Sequence, residues 1–173
     1  MKKNILFSTT RQWNPGDEFI LLGVINILKE ILKDFNPIIY NRNPSIRPKY
    51  SYLNFLYNSR FFSNRFFLLK SQLESFFRIG FYDNSFKDYT SLDFMDTVIF
   101  AGTPEWFGAR LLPLYKKLLN YEKPILFLGI GTALENKKIK PIYDKVLNKA
   151  KLITTRDELT YKFLRKRYNN VIM

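Results

Sequence analysis

Four stretches of this chain gather charged side chains, three of them with glycines: Thr9–Asp17, Gly102–Gly108, Gly129–Glu135 and Thr154–Asp157. Each follows an apolar run, and each can serve a ligand. Arg11 and Arg156 are fixed positive charges that suit a phosphate or a carboxylate. Glu105 is a carboxylate that can carry protons if the site is enclosed. Gly16, Gly102, Gly129 and Gly131 let the backbone come close to a ligand. Asn14 adds a short polar side chain, and Trp106 a flat face for a sugar or a base. The chain has no histidine and no cysteine. The commonest general base, the commonest zinc ligand and all thiolate chemistry are therefore excluded. What remains is Asp, Glu, Arg, Lys, Tyr, Ser, Thr and backbone amides, with neither a metal nor a cofactor required.

Each stretch also has a purely structural reading. In "NPGDEF" Asp17 is a natural N-cap, its carboxylate accepting a backbone amide at the start of a helix. The same helix start attracts anions. In "AGTPEWFGAR" Trp106 either stacks on a ligand or covers the sheet edge. In "LGIGTALE" two glycines straddle Ile130, which serves close backbone packing as well as ligand approach. The pattern is not a G-x-G-x-x-G fingerprint, which argues against a dinucleotide. In "TTRDE" the acidic pair Asp157-Glu158 favours a helix start. Arg156 does not help that helix, so it pairs with Asp17 or Asp157 or binds an anion itself.

The elements that must position these residues alternate. Strands are predicted at 4–9, 37–40, 96–102, 124–131 and 151–155, with a further strand opening at "NVIM". Helices are predicted from Asp17 to about Lys33 and at 109–120, 140–150 and 156–168. In the first helix Phe19, Ile20, Leu22, Gly23, Ile27 and Ile31 follow helical spacing. Pro113 is tolerated only near the start of its helix. Continuous apolar strands separated by helices predict an α/β domain with a doubly wound, Rossmann-like parallel sheet. In such a sheet ligands bind beyond the carboxyl ends of the strands, which is where all four stretches fall.

Residues 1–173 read as one such domain, with 41–90 as an aromatic, basic helical insertion. There Tyr52, Phe55, Leu56, Phe62, Phe66, Leu69, Leu73 and Phe76 fit a helical period, beside Arg60, Arg65, Lys70 and Arg78. Parallel α/β chains rarely end by opening a new βα unit, so the chain reads as the N-terminal half of a longer protein.

The hydrophobic fraction of 46% is ample for a packed core. No apolar run reaches the length of a membrane span, and the start "MKKNILFSTTRQ" has no secretory pattern. A cytoplasmic protein is expected. The net charge of +13 reflects either compositional drift or an anionic partner. That partner is a phosphorylated substrate, a lipid-linked acceptor at a membrane surface, or nucleic acid. The basic residues are dispersed and no recognition motif appears, which argues against nucleic acid.

Taken in order, the four stretches resemble the polysaccharide pyruvyl transferase family. The resemblance rests on Asn14-Pro15-Gly16-Asp17 with Gly23, on Ala101-Gly102, on Leu128-Gly129-Ile130-Gly131 and on Thr155-Arg156-Asp157-Glu158. It departs from the family at Ala101, where a first glycine is usual. It departs again at Thr132 and Thr160, where proline and serine are common. The resemblance implies one half of a two-domain, GT-B-like architecture. It also implies transfer of pyruvate from phosphoenolpyruvate to a sugar of a cell-surface polysaccharide or its precursor. Arg11, Arg110 and Arg156 would hold the donor, and Glu105 or Asp17 would handle protons. The acceptor would be a saccharide, which can be lipid-linked; the aromatic, basic segment would then touch the inner face of the membrane. The alternative is a non-catalytic remnant or interaction module of the same fold.

Overall fold

Runs such as "ILF", "VIF" and "ILF" are apolar at every position, and only a strand covered on both faces can bury all of them. The chain is described by a computed structural model over residues 2–8, 15–41, 54–57, 92–102, 111–131 and 139–173. The elements run β1 (Lys3–Ser8), α1 (Pro15–Leu32), β2 (Phe35–Asn41), β3 (Asn54–Tyr57), β4 (Thr97–Ala101), α2 (Leu112–Leu118), β5 (Ile125–Ile130), α3 (Pro141–Lys149), β6 (Leu152–Thr155), α4 (Glu158–Arg165) and β7 (Val171–Ile172). The strands form one seven-stranded sheet in the order β3-β2-β1-β4-β5-β6-β7. Every pairing is parallel. From β1 the chain winds one way to β3, and from β4 the other way to β7. The switch point lies between β1 and β4.

Alternate residues of the central strands serve opposite layers. Ile5, Phe7, Ile99 and Ala101 pack with Phe35 and Ile39 against Leu21, Val24 and Ile25 of α1. Leu6, Val98 and Phe100 pack on the other face with Leu114, Tyr115 and Leu118 of α2, Tyr143, Val146 and Leu147 of α3, and Leu164 of α4. An aromatic column joins β4, β5, α2 and α3. Phe100 and Phe127 stack at 4.5 Å with their planes 6° apart. Tyr115 lies 5.1 Å from Phe100, and Tyr143 meets Tyr115 edge-on at 4.5 Å. Such pairs add about 0.5–1.5 kcal/mol to the burial of their area.

Two features differ from the sequence reading. The core stripe of α1 is Leu21, Val24 and Ile25, whereas Phe19, Ile27 and Ile31 are exposed. This helix is apolar on most of its circumference, so spacing alone does not choose the buried face. Residues 54–57 pair with β2 as a strand, Ile38 opposite Asn54 and Asn41 opposite Tyr57, where the aromatic period predicts a helix. The rest of that segment lies outside the described residues. The strand expected at "NVIM" is present and pairs with β6, Ile153 opposite Val171.

The amino edge of the sheet is closed by hydrogen bonds. The Asn4 amide donates to Asp96 Oδ2 at 2.7 Å, and the Asp96 amide returns to the Asn4 carbonyl at 2.8 Å. Asn36 Nδ2 donates to Asn4 Oδ1 at 2.9 Å. The Met95 carbonyl accepts from Lys123 Nζ at 2.6 Å and from the Tyr121 hydroxyl at 3.1 Å. Tyr168 donates to Asp144 Oδ1 at 2.6 Å and ties the chain beyond α4 to α3. The basic run "KFLRKRY" has partners of its own. Lys162 pairs with Glu158 at 2.7 Å, and the Arg167 guanidinium lies 4.0 Å over the Phe163 ring.

Phe127→Ala should cost about 3–5 kcal/mol, because it removes the centre of the aromatic column and leaves a cavity; urea unfolding measures this. Tyr121 gives a pH prediction. Burial, and secondarily the charge of Asp96, push its pKa from 10.0 up to about 12. The fold favours the neutral hydroxyl, so its contribution is fully present below pH 10 and is lost as the pH rises through about 12. Tyr121→Phe should cost about 1 kcal/mol at pH 7. Its unfolding free energy should then fall less steeply than that of the wild type as the pH is raised over that window.

Candidate active site at the carboxyl edge

Parallel strands bring all their carboxyl ends to one edge, so stretches far apart in sequence become neighbours. Ile20 of α1 packs where a Cβ on Gly102 would stand, 3.5 Å away. Gly102 follows β4 in a left-handed conformation, φ 85°. Its amide donates to the Leu128 carbonyl of β5 at 3.0 Å. The Gly129 amide donates to Thr154 Oγ1 of β6 at 2.8 Å. The Arg156 amide donates to the Ile130 carbonyl at 3.0 Å. Contacts thus run from Ile20 of α1 through the described parts of the last three stretches, across β4, β5 and β6.

The two glycines around Ile130 do different things. Gly129 has φ 64°, a conformation that costs other residues about 1–2 kcal/mol. It sits in a break in the ladder: Phe127 is opposite Ile153 but Ile130 is opposite Thr155, so β5 carries one extra residue. Gly131 provides space. A Cβ there would overlap Arg156 Nε and stand 2.7 Å from Cζ. The Arg156 side chain therefore lies against the backbone of Gly131. The residue is exposed, and among the described residues no carboxylate pairs with it.

Asp157, next in sequence, is occupied. It is the N-cap of α4, with Oδ1 accepting the Thr160 amide at 2.7 Å and Oδ2 the Thr160 hydroxyl at 2.9 Å. Gly16 lies in the first turn of α1 and is exposed. The Asp17 cap reading is corrected: α1 already starts at Pro15, so Asp17 is its third residue and lies within the first turn. A negative charge is still favoured there by the helix dipole. Arg11, Asn14, Glu105, Trp106 and Arg110 lie outside the described residues.

Two hydroxyls at this edge were given no role by the sequence reading. Thr154 carries the Gly129 amide. Ser8 ends β1 beside Phe100 of β4 and Tyr40 of β2. It is buried, and its Oγ has no hydrogen-bond partner among the described residues. A hydroxyl closing an apolar strand was the available signal for both. Among the described residues no group of three or more Asp or Glu side chains could hold a metal ion.

The glycines give a stability test. Gly129→Ala should cost about 1–2 kcal/mol for its backbone conformation. Gly131→Ala should cost less than about 1 kcal/mol, because the flexible end of Arg156 can swing aside. Urea unfolding of both variants compares them; a larger loss at Gly131 would contradict this division of roles.

The family model for polysaccharide pyruvyl transferase matches residues 14–173. It begins at Asn14, one residue before α1, and takes in the carboxyl ends of β4, β5 and β6. No curated protein and no solved structure matches the chain. By the extent of the family match and the order of its motifs, the chain belongs to the polysaccharide pyruvyl transferase family.

Proposed function

We propose that the carboxyl edge of this sheet binds phosphoenolpyruvate and that the chain takes part in moving the pyruvyl group onto a sugar of a cell-surface polysaccharide or its precursor. The observation that supports this most directly is Arg156. It is an exposed cation seated against Gly131, without a described carboxylate partner, inside the region that the family model covers.

The reaction forms a ketal. The methylene carbon of the donor takes up a proton, and positive charge develops at the carbon bearing the phosphate. One sugar hydroxyl adds there and a second displaces inorganic phosphate, each losing its proton. Phosphoenolpyruvate and a diol thus give a cyclic ketal and phosphate. Cations that hold the donor's carboxylate and phosphate must be set before reaction, because rigid charges stabilise the transition state better than mobile ones. In this reading Arg156 is such a cation, joined by Arg11 and Arg110. Glu105 or Asp17 handles the protons. Asn14, Gly16, Gly102, Trp106, Gly129 and Asp157 line the cleft. A second α/β half supplies the opposite wall and a further basic residue.

The acceptor in this reading is lipid-linked, and the net charge of +13 draws the protein to the anionic inner face of the membrane. No helix among the described residues is long and apolar enough to cross a membrane.

Phosphate release from phosphoenolpyruvate in the presence of a polysaccharide precursor tests the reaction. Arg156→Ala should lower kcat/KM by about a hundredfold or more, since it removes a charged contact to the donor. Its unfolding free energy should change little, because the side chain is exposed. Wild-type rates in this variant would remove the donor-binding reading. Phosphoenolpyruvate binding without turnover would favour the interaction module.

A further inference from the structure

Between Gly129 and Arg156 the structure carries a mechanical link that neither the family match nor the sequence motifs name. β5 holds its extra residue at Leu128–Gly129, and on either side of that break one hydrogen bond to β6 sets the backbone. On one side the Gly129 amide donates to Thr154 Oγ1 at 2.8 Å; on the other, the Arg156 amide donates to the Ile130 carbonyl at 3.0 Å. The first of these is made by a side chain. With φ 64° at Gly129, its amide is served by a hydroxyl. Gly131 follows directly, and its backbone is the surface against which the Arg156 guanidinium lies.

We propose that Thr154 is a positioning residue: its hydroxyl holds the β5 break in the conformation that makes Gly131 the seat of Arg156. This rests on the reading that Arg156 binds the donor's anionic groups. Thr154 does not touch the donor. Without the hydroxyl the Gly129 amide is left unpaired in a half-buried place, and an unpaired donor pulls the backbone toward any other acceptor. Moving Gly131 by a few tenths of an ångström moves the guanidinium with it, because the two are in contact. Valine matches threonine in shape but lacks the acceptor; serine keeps the acceptor and loses only a methyl group. The two substitutions separate hydrogen bonding from packing.

The test uses the 173-residue chain and phosphoenolpyruvate as probe, with affinity read by calorimetry. Thr154→Val should weaken binding about tenfold, the scale of one hydrogen bond to a charged group. Thr154→Ser should stay within about twofold of wild type. In an Arg156→Ala background Thr154→Val should have no further effect, because both changes act through one guanidinium. In ligand-free protein, the Arg156 Nε–H resonance should move in Thr154→Val and return in Thr154→Ser. A wild-type affinity in Thr154→Val overturns the inference, as does an equal loss in the Arg156→Ala background. An Arg156→Ala protein that binds phosphoenolpyruvate like wild type overturns the donor reading instead, and an unmoved Nε–H resonance overturns the link whatever the donor does. If Thr154→Val does not fold by circular dichroism, Thr154→Ala takes its place and is read against Thr154→Ser by the same outcomes.

Discussion

A parallel strand covered on both faces has no room for polar chemistry along its length. Everything else in this structure depends on that constraint. Phe7, Phe100 and Phe127 are buried in the middle of the sheet, and each would lose its packing if a charged neighbour replaced an apolar one. Polar groups are therefore confined to the two edges. At the amino edge Asn4, Asn36, Asp96, Tyr121 and Lys123 satisfy one another and the Met95 carbonyl. The described part of the carboxyl edge is lined differently, with glycines, the exposed Arg156 and hydroxyls. The first edge is a seam of mutually satisfied polar groups, and the proposed site lies at the second.

The packing that supports this edge lies just beneath it. The Phe100–Phe127 stack holds β4 to β5 two residues before Gly102 and Gly129. Tyr115 and Tyr143 carry that restraint outward to α2 and α3. On the opposite face Ile20 fixes α1 against Gly102. Glycine adopts the left-handed conformation of Gly102 and Gly129 without strain but loses more freedom on folding than other residues, and this packing holds the strand ends that carry it.

Most strands were legible in the sequence to within a residue or two, because burial on both faces makes each a continuous apolar run. The α2 and α3 helices were legible too, each starting close to a proline that can occupy only the first turn. The failures have physical causes. α1 is apolar on most of its surface, so periodicity could not separate Leu21 and Ile25 from Phe19 and Ile27. Asn54–Tyr57 is too short for its pattern to distinguish strand from helix. Gly129 and Gly131 look alike in "LGIG", yet one supplies a backbone angle and the other an empty space. Thr154 was passed over because its role depends on the register between β5 and β6. That register is a property of the pairing and not of either strand.

The arrangement at the start of α4 shows how a site can keep its charge available. Arg156 and Asp157 are adjacent, and a free aspartate beside an arginine would neutralise it. Here both Asp157 oxygens are taken by the amide and the hydroxyl of Thr160, so the carboxylate caps the helix. The Arg156 amide is taken by Ile130, and the guanidinium lies against a glycine that has no side chain to offer it. What is left is a cation without a carboxylate partner among the described residues. It stands at the positive end of a helix dipole, which favours the same sign of ligand. A lone surface arginine gains little from an anion, because water screens the pair and the side chain loses freedom on binding. Seating the guanidinium in advance reduces the second of these costs, and the glycine, the β5 break and the Thr154 hydroxyl are what seat it.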